Sequence, residues 1–152
     1  MPDLLVHMSL AILLTRLLGI ERRDRWVVMF GALLPDLQLF IAIAALVARG
    51  AVVAMAVSFF LHTPVGALFL CLVAASFIDR DLWKAYGLLY VGAMSNIILD
   101  SFLYPWARPH HFLLLWPFSW RTVGIPLASS MDMIEWALII AAAVAVARDR
   151  AP

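Results

Sequence analysis

Long apolar runs separated by short charged breaks dominate the chain, and each run approaches the length of a bilayer-crossing helix. Such a helix needs about 20 mostly apolar residues, within a range of about 17–25. On that measure five helices are predicted, near residues 4–20, 26–48, 51–77, 82–103 and 130–147. The breaks are Glu21-Arg22-Arg23-Asp24-Arg25, Arg49-Gly50, Asp79-Arg80-Asp81 and Tyr104-Pro105, and a polar Arg148-Asp149-Arg150 tail follows the last run. Between the final two runs lies a connection rich in Pro, Trp and His, with a short interfacial helix predicted at residues 112–116. Tyr104, Trp106, Trp116 and Trp120 suit the headgroup level, where amphipathic rings concentrate.

Composition points the same way. Of 152 residues, 65% are hydrophobic and 14% charged, with a mean hydropathy of +0.97. Soluble domains carry about 45–50% apolar and about 25% charged residues. The expected fold class is therefore an all-α integral membrane protein, a single membrane domain over residues 1–152 with the lipid bilayer as its partner. A net charge of +1 gives no case for nucleic acid, which needs clustered Lys and Arg. The single cysteine, Cys71, cannot form an internal disulfide. The amino terminus lacks a basic leading region and a small-residue cleavage site, so the first run is expected to be retained.

The positive-inside rule then sets an orientation. With the amino terminus outside, Arg16, Arg22, Arg23, Arg25, Arg80, Lys84, Arg148 and Arg150 lie inside, against Arg49, Arg108 and Arg121 outside. The bias predicts a multi-pass chain with its amino terminus out and its carboxyl terminus cytoplasmic.

Four ionisable residues are stranded in these apolar runs: His7, Asp36, His62 and Asp100. Such groups are costly in hydrocarbon and usually mark a function. Two imidazoles and two carboxylates also form a metal-ligand set, suited to Zn²⁺ or Mn²⁺. On regular helices Asp36 and His62 would lie deeper than His7 and Asp100, unless Pro35 and Pro64 break their helices. Asp36 also reads as an N-cap restarting a helix after Pro35. A lone His62 reads equally as an interhelical hydrogen-bonding group. Asn96 and Asp100 are four apart on one helical face, which either binds a polar group or serves as interhelical glue. Asp3 and His7 share that spacing, with Asp3 better read as a headgroup-level residue. His110 and His111 read as solvated loop residues, and Ser129 with Asp132 as a capping box.

The segments Pro2-Asp3-Leu4-Leu5-Val6-His7, Gly31-Ala32-Leu33-Leu34-Pro35-Asp36, His62-Thr63, Ser95-Asn96-Ile97-Ile98-Leu99-Asp100 and Leu115-Trp116-Pro117-Phe118-Ser119 occur in this order along most of the chain. In this the chain resembles the membrane-bound, metal-dependent hydrolases, also described as LexA-binding, inner-membrane-associated hydrolases. The resemblance implies an inner-membrane location, metal ligands at His7, Asp36, His62 and Asp100, and phosphoester chemistry. The chain departs from the family pattern at Gln38, where a second Asp is usual, at Val57-Ser58, where a His-Arg pair is usual, and at Asn96, where a His is usual.

Two functions are expected from these observations. One is a metal-dependent hydrolase acting on a phosphoester or lipid-linked substrate at the outer face, with Asp100 as base or exchangeable ligand. The alternative is a non-catalytic membrane subunit or scaffold of a larger assembly, with membrane-protein partners or a homo-oligomer. A proton or ion conduit ranks last, because no regular acidic ladder is present.

Overall fold

Two prolines interrupt the second and third apolar runs, whereas the fourth run is one helix over its whole predicted length. The structure is a computed structural model that describes residues 4–37, 44, 60–79, 81–103, 115–121 and 131–148. Within them lie α1 (Leu4–Leu17), α2 (Arg25–Leu33), a 3-10 turn (Pro35–Leu37), α3 (Pro64–Ala75), α4 (Leu82–Leu103) and α5 (Met131–Arg148).

Each end has a local cause. Helix α1 stops at Gly19, whose φ of 64° is left-handed. Gly19 N–H donates to the Arg16 carbonyl at 3.0 Å and Ile20 N–H to the Thr15 carbonyl at 2.8 Å, the paired closure of a Schellman end. Helix α2 stops before Pro35, which has no N–H to continue the ladder. Leu34 N–H turns back to the Gly31 carbonyl at 3.1 Å, and a 3-10 turn follows. Thr63 caps α3, accepting from Gly66 N–H at 3.0 Å, with Pro64 in the first helical position. Asp81 caps α4 by accepting from Lys84 N–H at 2.8 Å.

The expectation of an all-helical chain holds for the described residues, but the membrane-spanning reading does not. No described helix is long and apolar enough to cross a membrane. Helices α1, α2 and α3 have 14, 9 and 12 residues, short of the roughly 20 required. Helix α4 has 22 residues but includes Lys84, Ser95, Asn96 and Asp100. Helix α5 has 18, and its sequence includes Asp132, Glu135 and Arg148. The five-span bundle, its amino-terminus-out orientation and the inner-membrane location fall together. In the second and third runs, length alone counted apolar residues on both sides of a proline as one helix, while the fourth and fifth predicted ranges are closely matched by helices. Residues 38–43 and 45–59, the segment 112–114, Tyr104 and Trp106 lie outside the described residues. So do Asp3, Ser129, His110 and His111.

Helices α2 and α4 form the central pair, with α3 against α4, and α1 against both α2 and α5. Val27, Leu34, Ala67, Cys71, Ala75, Ala85, Leu89, Ala93 and Ile97 make the main core. Its many alanines bring helix axes close. Gly31 and Gly92 sit at the α2–α4 crossing, where an added Cβ would overlap the Leu89 and Val28 carbonyl oxygens respectively. At the opposite end of α4 from Asp100, Lys84 pairs with buried Asp24 at 2.6 Å. The outward faces remain apolar, with Phe69, Phe77, Trp83 and Trp136 exposed.

Two outcomes follow from this packing. Gly92→Val is expected to destabilise the fold by about 2–3 kcal/mol, the cost of overpacking a closed crossing, read from urea unfolding. Cys71 is fully buried, and burial pushes its thiol up to about 12. A maleimide is therefore expected to label Cys71 only after unfolding. Fast labelling of native protein would show that this core is open.

Candidate metal centre

Chain breaks, not helix middles, position the four ionisable residues. His7 lies near the start of α1, Asp36 in the 3-10 turn after α2, His62 in the turn before α3, and Asp100 in the last turn of α4. The depth difference expected of regular helices disappears because Pro35 and Pro64 place Asp36 and His62 at helix ends. The structure brings all four together at one end of the α2–α4 pair.

His7 Nε2 lies 3.4 Å from Asp100 Oδ1 and 3.9 Å from Asp36 Oδ2. His62 Nε2 lies 3.3 Å from Asp100 Oδ2 and 4.0 Å from Asp36 Oδ1. Imidazoles and carboxylates thus alternate around a small ring. The four residues are between 1% and 8% exposed, so bulk water does not solvate their charges.

Asn96 builds the scaffold of this ring. Its Nδ2 donates to Asp36 Oδ2 and to the Ala32 carbonyl, both at 2.9 Å. Both partners are acceptors, so the orientation of the amide is fixed: only the NH₂ end can face them. One side chain of α4 therefore closes the carboxyl end of α2 and holds the carboxylate just beyond it. Sequence spacing placed Asn96 on the Asp100 face; the structure shows that face reaching across to α2. Thr63 performs the matching task for His62. Its Oγ1 donates to the Phe60 carbonyl at 2.7 Å while accepting from Gly66 N–H, which locks the turn. The sequence marked Thr63 only as part of the His62-Thr63 segment and not as a cap, although a Thr-Pro pair before an apolar run is a legible cap signal.

The two carboxylates sit in different fields. Burial, the largest influence, pushes Asp36 above its ordinary value. The His7 charge opposes it, the Asp100 charge adds to it, and His62 and the Asn96 bond oppose it without cancelling it. Asp100 is also pushed up by burial, but His62 and His7 against its two oxygens outweigh that and hold it below its ordinary value.

His7, Asp36 and Asp100 each offer a ligand atom, all within 4.8 Å of one another, so this group could hold a metal ion. The chemistry of the atoms agrees. Among the described residues, both ring nitrogens of His7 and one oxygen each of Asp36 and Asp100 are buried without a hydrogen-bond partner. Leaving buried polar atoms unpaired costs about 1–3 kcal/mol each, and a cation would satisfy several at once. Gln38, Val57 and Ser58 lie outside the described residues.

No known family model, curated protein or solved structure matches this chain.

Asn96→Ala removes the donor to two buried acceptors. It is expected to destabilise the metal-free protein by about 1–3 kcal/mol in chemical denaturation. Asn96→Asp is expected to be worse at neutral pH, since it loses the same donor and adds a third carboxylate. Equal stability of Asn96→Asp and wild type would mean the amide does not hold Asp36.

Proposed function

We propose that the His7, Asp36, His62 and Asp100 ring is a divalent metal centre that serves hydrolysis of a phosphoester. One observation carries the proposal: two imidazoles and two carboxylates from four separate segments converge at 3.3–4.0 Å in a buried site. Imidazole with carboxylate suits Zn²⁺ or Mn²⁺. A bound ion of this kind lowers the pKa of its water to about 7 and so supplies hydroxide at neutral pH. The protein's own contribution is to fix the ligands, Asp36 through Asn96 and His62 through the Thr63 cap, and to keep bulk water away. In the overall reaction the water oxygen bonds to phosphorus, the bond to the leaving alcohol oxygen breaks, and a water proton ends on that alcohol. The ordered resemblance to metal-dependent hydrolases supports the same reading.

The alternative is a non-catalytic subunit or scaffold, in which the centre only ties helices together. The deep burial of all four residues favours it.

Metal analysis of protein purified without chelator, with hydrolysis of p-nitrophenyl phosphate before and after EDTA, separates these readings. The hydrolase reading expects bound metal and activity lost with EDTA and restored by Zn²⁺ or Mn²⁺. His62→Ala is expected to weaken metal binding by at least the roughly 10–100-fold seen when outer partners of a metal are removed. Metal without turnover would favour the scaffold; protein that takes up no metal would end both metal-based readings.

A further inference from the structure

The pairing of oxygens with imidazoles in the ring is not what a single ion held by four monodentate ligands would produce. In that case each carboxylate would turn one oxygen to the centre, and both imidazoles would approach the same oxygen. Instead each carboxylate divides its oxygens. Asp100 presents Oδ1 to His7 and Oδ2 to His62, at 3.4 and 3.3 Å. Asp36 presents Oδ2 to His7 and Oδ1 to His62, at 3.9 and 4.0 Å. The two halves are nearly equal, each with one imidazole nitrogen and one oxygen from each carboxylate.

We infer that the centre takes two divalent cations, one at the His7 half and one at the His62 half, with Asp36 and Asp100 bridging them. The inference rests on the metal-centre reading above. Two further observations agree with it. His7 has a side chain with no exposed surface, both ring nitrogens are unpartnered among the described residues, and its Nε2 faces the ring. One oxygen on each carboxylate is likewise buried and unpartnered. Asn96 leaves the bridge possible, because the Asp36 Oδ2 it holds has a second lone pair.

The arrangement resolves a coordination problem. Four protein ligands on one tetrahedral Zn²⁺ leave no position for water. Divided between two ions, the same four residues give each ion three protein donors and leave positions for water and substrate. Charge sets a condition on the second ion. Two carboxylates neutralise one divalent ion but leave a charge of +2 with two, which hydroxide and an anionic substrate would offset. Two-metal sites, with ions about 3.5–4 Å apart, clamp both the attacking and the leaving oxygen of a displacement. A phosphate ester, carrying negative charge on oxygens that can face both ions, is the substrate class this centre fits.

The test is stoichiometry with Mn²⁺ as the probe, by calorimetric titration of metal-free protein and by electron paramagnetic resonance. Two ions per chain and an exchange-coupled spectrum are expected for wild type. His7→Ala and His62→Ala are each expected to fall from two ions to one and to lose the coupling, since each removes the nitrogen of one half. A wild-type stoichiometry of one, with an isolated six-line signal, would overturn the two-ion inference and leave the metal-centre reading standing. A stoichiometry of zero would overturn both. The wild-type result decides the matter even if a variant fails to fold.

Discussion

Backbone contact between α2 and α4 is the constraint on which the rest depends. Gly31 and Gly92 let the two helices meet with carbonyl oxygens where side chains would otherwise stand. At that separation Asn96 reaches the Ala32 carbonyl and Asp36 with one amide group. A larger residue at either glycine would push the helices apart, and both hydrogen bonds would lengthen together. The position of Asp36 is thus set in part by the absence of a side chain at Gly31, five residues before it. Packing, capping and site geometry are one problem at this crossing.

The centre itself is costly without a cation. Two carboxylates from different segments face each other across two imidazoles in a site with little access to water. Burying unpaired charge is unfavourable unless it is neutralised, hydrogen-bonded or bound to metal. Asn96 answers for only one of the four carboxylate oxygens. Burial raises Asp36 while the imidazoles hold Asp100 down, so the metal-free ring is an uneven compromise. A divalent ion would replace repulsion between like groups with attraction to a common partner. Metal and fold are then expected to stabilise each other, as is general where a site exists only in the folded state.

Much of the site was legible in the sequence and much of the fold was not, for one physical reason. His7, Asp36, His62 and Asp100 stand out because an ionisable side chain among apolar neighbours needs a partner wherever the chain resides. That inference does not depend on the surroundings. The span prediction did, because it equated apolar runs with continuous helices. Pro35 and Pro64 were recognised as breaks, yet their full effect was to end α2 at Leu33 and to start α3 at Pro64. The same breaks drew Asp36 and His62 to helix ends and removed their mismatch in depth. Asn96 was placed on the right face, but its partner Ala32 could not be read, since a backbone carbonyl left free at a helix end carries no signature in residue type. The small residues at 31 and 92 gave no sign of a crossing until α2 and α4 were seen to pair.

X-ray absorption at the zinc edge of Zn²⁺-loaded protein tests the central claim most directly, that these four side chains share one centre. The account predicts a nitrogen and oxygen shell at about 2.0–2.2 Å, with the outer scattering of imidazole rings and none from sulfur. A sulfur shell near 2.3 Å, or a shell of water oxygens without imidazole, would place the ion elsewhere and contradict the account.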